Sequence, residues 1–418
     1  METPPKAPFG VILVFYMLGI AALLPWNFFI TAETYWQYKL RNVSMGSEWD
    51  SDNATLTNLQ LSFTPTLVLI SNVVATLFFI VTSAIVRRVP ELIRMLGSLT
   101  LSLLAMLSVT LLTVINSDSW QTTFFVITMV IVALLNVCVA VIQGSTTGLA
   151  GMFHAVCMTS LLSGQTLAGI FSSLARIVSL AVGEEPIQSG LIFFTIADVF
   201  LVITLAGYVY LTNTEHYKNV KQELTKNSTV NTTTPRSDFT VYITVLKKIW
   251  PLGFTLGLTL LIVLSVFPGV VVYVTSTMPE STWTQIYFQP TITFLLFNVM
   301  DFMGREMLRF VQWPSHKGWL LHVLGASRVI FIPLLLLCNG DNKSFPTLFN
   351  NDAYYIVILI LFGITNGYFI GLPFIYYPRF VEKDELEVGG AIMVALLGVG
   401  MVLGSLISPA LIAVWGPQ

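Results

Sequence analysis

The stretch FGVILVFYMLGIAALLPWNFFI, Phe9–Ile30, holds twenty-two residues and no charge. A helix rises about 1.5 Å per residue and the hydrocarbon core of a bilayer is about 30 Å thick, so about twenty apolar residues cross it. Lys6 precedes the run, as in a secretory leader, but the run is too long for a leader's apolar core. No small-x-small cleavage site follows it. It reads as a retained membrane span. Ten similar runs follow, near Pro65–Val86, Met95–Ile115, Thr122–Ile142, Ser160–Val182, Gly190–Leu211, Ile249–Val274, Trp283–Met303, Trp319–Cys338, Tyr354–Pro373 and Val388–Val414. The polar, glycine-rich stretch Gln143–Thr159 is all that separates the fourth from the fifth.

Composition agrees. Of 418 residues 10% are charged, where a soluble protein carries about 25%. Mean hydropathy is +0.78. A net charge of −2 excludes a nucleic-acid surface along the whole chain. Cys138, Cys157 and Cys338 lie in or beside apolar runs, which excludes a disulfide framework. The reading is an all-α integral membrane protein with eleven transmembrane helices.

Lysine and arginine set the orientation, because they gather on the cytoplasmic side. With the N-terminus inside, fourteen basic residues fall in inside segments and only Lys39, Arg41 and Lys343 fall outside. The N-terminus is therefore expected inside and the C-terminus outside. The sequons at Asn42, Asn53 and Asn342 then face outside and are candidate glycosylation sites, while those at Asn227 and Asn231 face inside.

The polar stretch near Asn213–Val245 divides the spans six and five. Transporters built of two helical bundles joined by a cytoplasmic linker place their substrate site at the midplane between the bundles. The expected organisation is an N-terminal bundle over residues 1–212, a linker over 213–245 and a C-terminal bundle over 246–418. Glycines four apart (Gly363, Gly367 and Gly371; Gly400 and Gly404; Gly144 and Gly148) let helices approach closely, either in static packing or along a sliding face.

Ionisable groups at membrane depth cost about 2.5–3.5 kcal/mol on insertion scales, so each needs a reason. Asp301 and Arg305 sit four apart on one face of the eighth span, with Asn298 on the same side. They are either a self-neutralising pair or a donor and acceptor for a polar, uncharged solute. Pro25 kinks the first span beside Trp26 and Asn27, so Trp26 reads as an interfacial ring or a cavity wall. Gln143 offers a donor and an acceptor together, which suits either a helix–helix bond or the edge of a base. Arg176, Asp198 and Arg328 are intramembrane charges with no partner nearby in sequence, left to pair across helices or to snorkel. Arg94 and Glu387 lie at inside ends of the third and eleventh spans, either as a gate pair or as solvated charges. No metal-ligand spacing, phosphate loop or hydrolase motif is present, so an enzyme and a cofactor are not expected.

Nine motifs run in order along these spans: Leu24-Pro-Trp-Asn-Phe-Phe29, Arg94-Met-Leu-Gly-Ser98, Phe125-Val-Ile-Thr-Met129, Gln143-Gly-Ser145, Ser163-Gly-Gln-Thr-Leu-Ala-Gly169, Phe297-Asn-Val-Met-Asp-Phe-Met-Gly-Arg305, Pro333-Leu-Leu-Leu-Leu-Cys-Asn339, Asn366-Gly-Tyr368 and Gly389-Gly-Ala-Ile-Met393. Together they resemble the equilibrative nucleoside transporters over essentially the whole chain. The resemblance implies eleven spans in a fold like the major facilitator superfamily with one span fewer. It implies facilitated, bidirectional diffusion of nucleosides such as adenosine and uridine, and of nucleobases in some members, by alternating access. A proton-coupled symporter of the same fold is the alternative. By motif, Trp26 corresponds to an aromatic wall near the base, Gln143 to the base-edge amide, and Asp301 with Arg305 to the ribose-binding pair, with Asn298, Phe294 and Asn27 beside these groups. Ile30 and Phe79 stand where some members have methionine, which bears on base preference and on nucleoside-analogue inhibitors. Arg94 and Glu387 resemble an intracellular gate. Met1–Pro8 carries no acidic dileucine signal, so a plasma-membrane address is expected. Asp198 has no counterpart role.

Overall fold

The computed structural model describes residues 7–43, 57–182, 185–231, 238–278, 281, 283–314, 319–340 and 343–416. Among these residues the chain is helical, with two isolated β-bridges and no longer strand. The sequons at Asn53 and Asn342 lie outside the described residues.

The first span is α1, Phe9–Thr31, and a short helix α2, Glu33–Lys39, follows it. Next come α3 (Asn58–Ile85), α4 (Glu91–Val114), α5 (Gln121–Met152), α6 (Ala155–Val182) and α7 (Pro186–Asn213). A capping box starts α3: the Thr57 hydroxyl accepts from the Gln60 amide, and the Gln60 side chain accepts from the Thr57 amide. The helix therefore begins before Pro65. The stretch Gln143–Thr159, expected as a connection, is mostly helix: α5 runs through Gln143 and Gly148 to Met152, and only Phe153 and His154 break it. Glycine destabilises an exposed helix in water, but in a membrane it is retained where a neighbour presses close. At Gly148 a Cβ would lie 2.9 Å from the Glu387 Cα.

After α7 the polar stretch expected as a linker folds in part as helix α8, Glu215–Asn231. Helix α9, Asp238–Val266, begins eleven residues before the expected Ile249. Two expected spans are irregular. The eighth consists of π-helical turns at Trp283–Tyr287 and Gln289–Leu296 running into α10, Phe297–Met307. The ninth is α11 (Leu320–Ser327), a 3-10 turn at Arg328–Ile330 and α12 (Phe331–Leu336). Helices α13 (Asp352–Tyr376) and α14 (Leu386–Trp415) complete the chain. Nine helices among the described residues are long and apolar enough to cross a membrane, and Leu320–Leu336 is a shorter apolar segment.

Helix α1 packs on α6, α9 on α14, and α10 on α13. The last contact is backbone on backbone: a Cβ at Gly304 would strike the Ile364 carbonyl, and one at Gly367 the Asp301 carbonyl. The glycines at 363, 367 and 371 thus face α10 and its end as a packed seam. This seam fixes Asp301 and Arg305 against α13.

Candidate functional site

Asp301 and Arg305 share one turn of α10, and the Arg305 Nη2 lies 3.1 Å from the Asp301 Oδ2. Their side chains are only 5% and 8% exposed, so charge must be answered by charge and by hydrogen bonds. Asn366 of α13 donates its amide to the Asp301 Oδ1 at 2.6 Å. The Asn366 carbonyl oxygen accepts from the Arg328 Nη2 at 3.2 Å. Arg328 also donates to Thr365 Oγ1, and its guanidinium lies 5.4 Å from the Phe362 ring centroid. On the other side Arg305 donates to the Leu162 carbonyl at 2.6 Å and to the Gln165 Oε1 at 3.1 Å, both on α6. Asn298 sits one turn before Asp301, donating to the Phe294 carbonyl and weakly to Ser173 Oγ of α6. The Phe294 ring meets Phe267 edge-on.

A second set of residues lines a pocket between α1 and α5: Pro25, Trp26, Phe29, Val132, Leu135, Asn136 and Val139. Gln143 continues the Asn136 and Val139 face of α5 one turn further, about 6 Å on. It is buried, and its side chain makes no hydrogen bond to another described residue. Asn27 turns back onto the Leu23 carbonyl of its own helix. Ile30 is 40% exposed, and Phe79 packs on Gly398 between α3 and α14. The structure thus gathers Asp301, Arg305 and Asn298 along α6, and Trp26 with Gln143 along α5. No hydrogen bond joins the two sets among the described residues; Asn27 and Ile30 lie on α1 next to the pocket residues Trp26 and Phe29, and Phe79 lies on α3.

The end of the helices beyond Gln143 is clasped by ions. Arg94 of α4 donates to Ser145 Oγ of α5 at 3.0 Å and to the Glu387 Oε2 of α14 at 3.0 Å. The two residues that the sequence left as a pair or as separate charges are in contact. Lys221 of α8 bridges Glu387 at 3.1 Å and Glu91 of α4 at 2.7 Å. Burial alone would lower the Lys221 pKa, but Glu91 and Glu387 outweigh it and hold the ammonium above lysine's ordinary value. The Tyr208 and Tyr217 hydroxyls donate to Glu91. A second clasp joins α1 and α6 to α10: Tyr16 donates to Glu306 at 2.6 Å, and Arg309 donates to Tyr16 and to Ser160 Oγ.

Sequence reading missed Lys221, Tyr16 and the Glu306–Arg309 pair. The i, i+3 spacing of Glu306 and Arg309 was the available signal. Arg176, Asp198 and Arg328 do not pair with one another. Arg176 donates to Thr34, Asp198 accepts from Thr110, and Arg328 enters the Asp301 network. Asn42, three residues after the end of α2, is exposed.

Comparison with known proteins supplies the context. The nucleoside transporter family model matches residues 127–413. Equilibrative nucleoside transporter 2 of Rattus norvegicus is 34% identical, the match covering 94% of this chain and 95% of that protein. Equilibrative nucleoside transporter 1 of Homo sapiens is 32% identical, over 96% of each. Among solved structures, the major facilitator superfamily proton:xylose symporter XylE superposes with a TM-score of 0.66 at 11% identity, covering 98% of this chain and 91% of that one. At that identity the likeness concerns fold alone.

Proposed function

The chain belongs to the nucleoside transporter family, and from that premise we propose that it carries nucleosides across a membrane by facilitated, bidirectional transport. It is a multi-pass membrane protein and a transporter, not an enzyme. The observation that carries the reading is the buried group Asp301–Arg305–Asn366. Ribose hydroxyls are donors and acceptors, and an ionised carboxylate beside a guanidinium offers both complements without demanding a charge on the solute. Trp26 and Gln143 supply a flat apolar face and an amide for the base. Ile30, one turn beyond Trp26 on α1, and Phe79 on α3 tune base preference.

Alternating access needs one end shut while the other opens. We place the cytoplasm at the end clasped by Arg94, Glu387 and Lys221, in keeping with the excess of basic residues there, and assign the clasp as the inner gate. The eleven-span count follows if the composite segment Trp283–Met307 and the 17-residue Leu320–Leu336 both cross. Seventeen helical residues span about 26 Å, enough for a thinned or tilted crossing. Residues before α8 then form one bundle, those from α9 onward the other, and the plasma membrane is the proposed address. Relatives named equilibrative favour passive transport, and the likeness to a proton-coupled sugar symporter bears on fold alone.

The test is flux. In proteoliposomes, labelled uridine and adenosine should equilibrate in both directions without an ion gradient and should show saturation and counterflow. An absence of saturable uptake for every nucleoside tried sinks the proposal. Orientation has its own check: in cells, Asn42→Gln should remove a glycan-dependent mass shift, and an Asn42 that is never glycosylated contradicts an outside placement.

A further inference from the structure

The Asp301 network holds more positive charge and more donors than a self-contained ion pair requires. Two guanidiniums, Arg305 and Arg328, serve one carboxylate. The Arg305 Nε and the Arg328 Nη1 are both buried with no acceptor among the described residues. Both Asp301 oxygens are held, Oδ2 by Arg305 and Oδ1 by Asn366. The Asn366 amide has one sense only: its NH2 must face the acceptor-only carboxylate, and its oxygen must face the donor-only Arg328. Arg328 is itself 2% exposed and fixed on the 3-10 turn that interrupts its span, with Thr365 and the Phe362 ring against it. A 3-10 turn within a helical span commonly marks a place where the span adjusts.

We infer that Arg328 and Asn366 are positioning residues: Arg328 orients the Asn366 amide, and Asn366 locks the Asp301 carboxylate in the one rotamer that presents it to a sugar diol. The inference rests on the reading of Asp301 as the ribose acceptor and adds the relay behind it. The lock leaves Asp301 with lone pairs still free, since an ionised carboxylate has about four acceptor sites and two are taken. The unpartnered Arg305 Nε is then the donor that answers a hydroxyl oxygen. A solute with vicinal hydroxyls completes the group, and one without them leaves it short of an acceptor. Arg328 and Asn366 thereby set the preference for ribose over deoxygenated sugars without touching the solute.

The experiment compares uptake of uridine with uptake of 2′,3′-dideoxyuridine, each divided by the amount of chain in the membrane. Asn366→Ala and Arg328→Gln should each lower the uridine-to-dideoxyuridine ratio by about tenfold, the worth of one hydrogen bond to a charged group. Arg328→Lys, which keeps the charge and loses the fork, should fall between Arg328→Gln and the parent. A purely structural role would depress both substrates equally and leave the ratio unmoved. That outcome overturns the inference if Asp301→Asn collapses the ratio in the same assay. If Asp301→Asn also leaves the ratio unchanged, the ribose reading fails and the relay with it. Should Arg328→Gln not reach the membrane, Asn366→Ala decides alone, since it removes no charge.

Discussion

Asp301 shows how an ionisable residue persists at membrane depth. Removing one partner of a buried ion pair costs about 3–5 kcal/mol, because the survivor is left unanswered in a low dielectric. Asp301→Ala would strand Arg305 and Arg328 together, so lost function there could reflect lost folding. Asp301→Asn keeps the side-chain shape but turns one accepting oxygen into a donor, and it should lower saturable uridine uptake to the level of 2′,3′-dideoxyuridine while the chain still reaches the membrane. Uridine uptake retained above that level contradicts the ribose role. Trp26 is a milder case. Its ring lines a pocket wall and makes no hydrogen bond to another described residue, so Trp26→Ala should raise KM for purine and pyrimidine nucleosides by about tenfold or more, the scale of aromatic stacking on a base. An unchanged KM removes it from the site.

At the scale of elements, packing against a neighbour decides where helices run. Glycines that look like a break at 144 and 148 sit inside α5, because α14 and α3 lie against them. The α10–α13 seam is tighter, with Gly304 and Gly367 each facing the other helix's backbone. Gly367→Val should therefore separate the helices that hold Asp301 and Asn366. The expected result is loss of transport with a fall in thermal unfolding temperature in detergent of several degrees. A variant of parent stability and flux would show that the seam has slack. Helix α8 carries the same lesson on a polar surface. Its Lys221 reaches two carboxylates on different helices, and the Lys221 pKa is raised by them. Its contribution is fully present below lysine's ordinary value of 10.5 and is lost only as pH climbs past the raised value, so clasp strength should not vary across the neutral range on its account.

Over the whole molecule, two ionic clasps gather at one end among the described residues. One links α4, α5 and α8 to α14; the other links α1 and α6 to α10. The proposed substrate groups lie beyond them: Asn136 of the Trp26 pocket is twelve residues, about 18 Å, from Gly148 on α5. Asp301 of α10 lies eight residues before Arg309, which follows the end of that helix. In the proposed inner gate, opening this end breaks Arg94–Glu387. Arg94→Glu should therefore shift the population toward the state open at this end, seen as faster labelling of the half-buried position 152 in a Met152→Cys variant by a thiol reagent added from the side that the clasp faces. Glu387→Arg combined with Arg94→Glu should restore slow labelling in part. Failure of the double variant to differ from the singles would show that the pair does not couple.

The sequence by itself determined the class. Runs of about twenty uncharged residues, sparse charge and the motif order suffice for a helical membrane transporter, since a bilayer admits few other answers. It also singled out Asp301 and Arg305, because a charge at that depth is conspicuous in one dimension. What it could not yield was partnership between distant positions. Asn366 stood in a quoted motif and Arg328 was a charge with no local partner, and nothing in one dimension said that both close on Asp301. Tyr16 and Glu306 are 290 positions apart, and only the folded chain makes them neighbours. Local spacing encodes which face a residue occupies; which face meets which is settled by the packing of every helix at once.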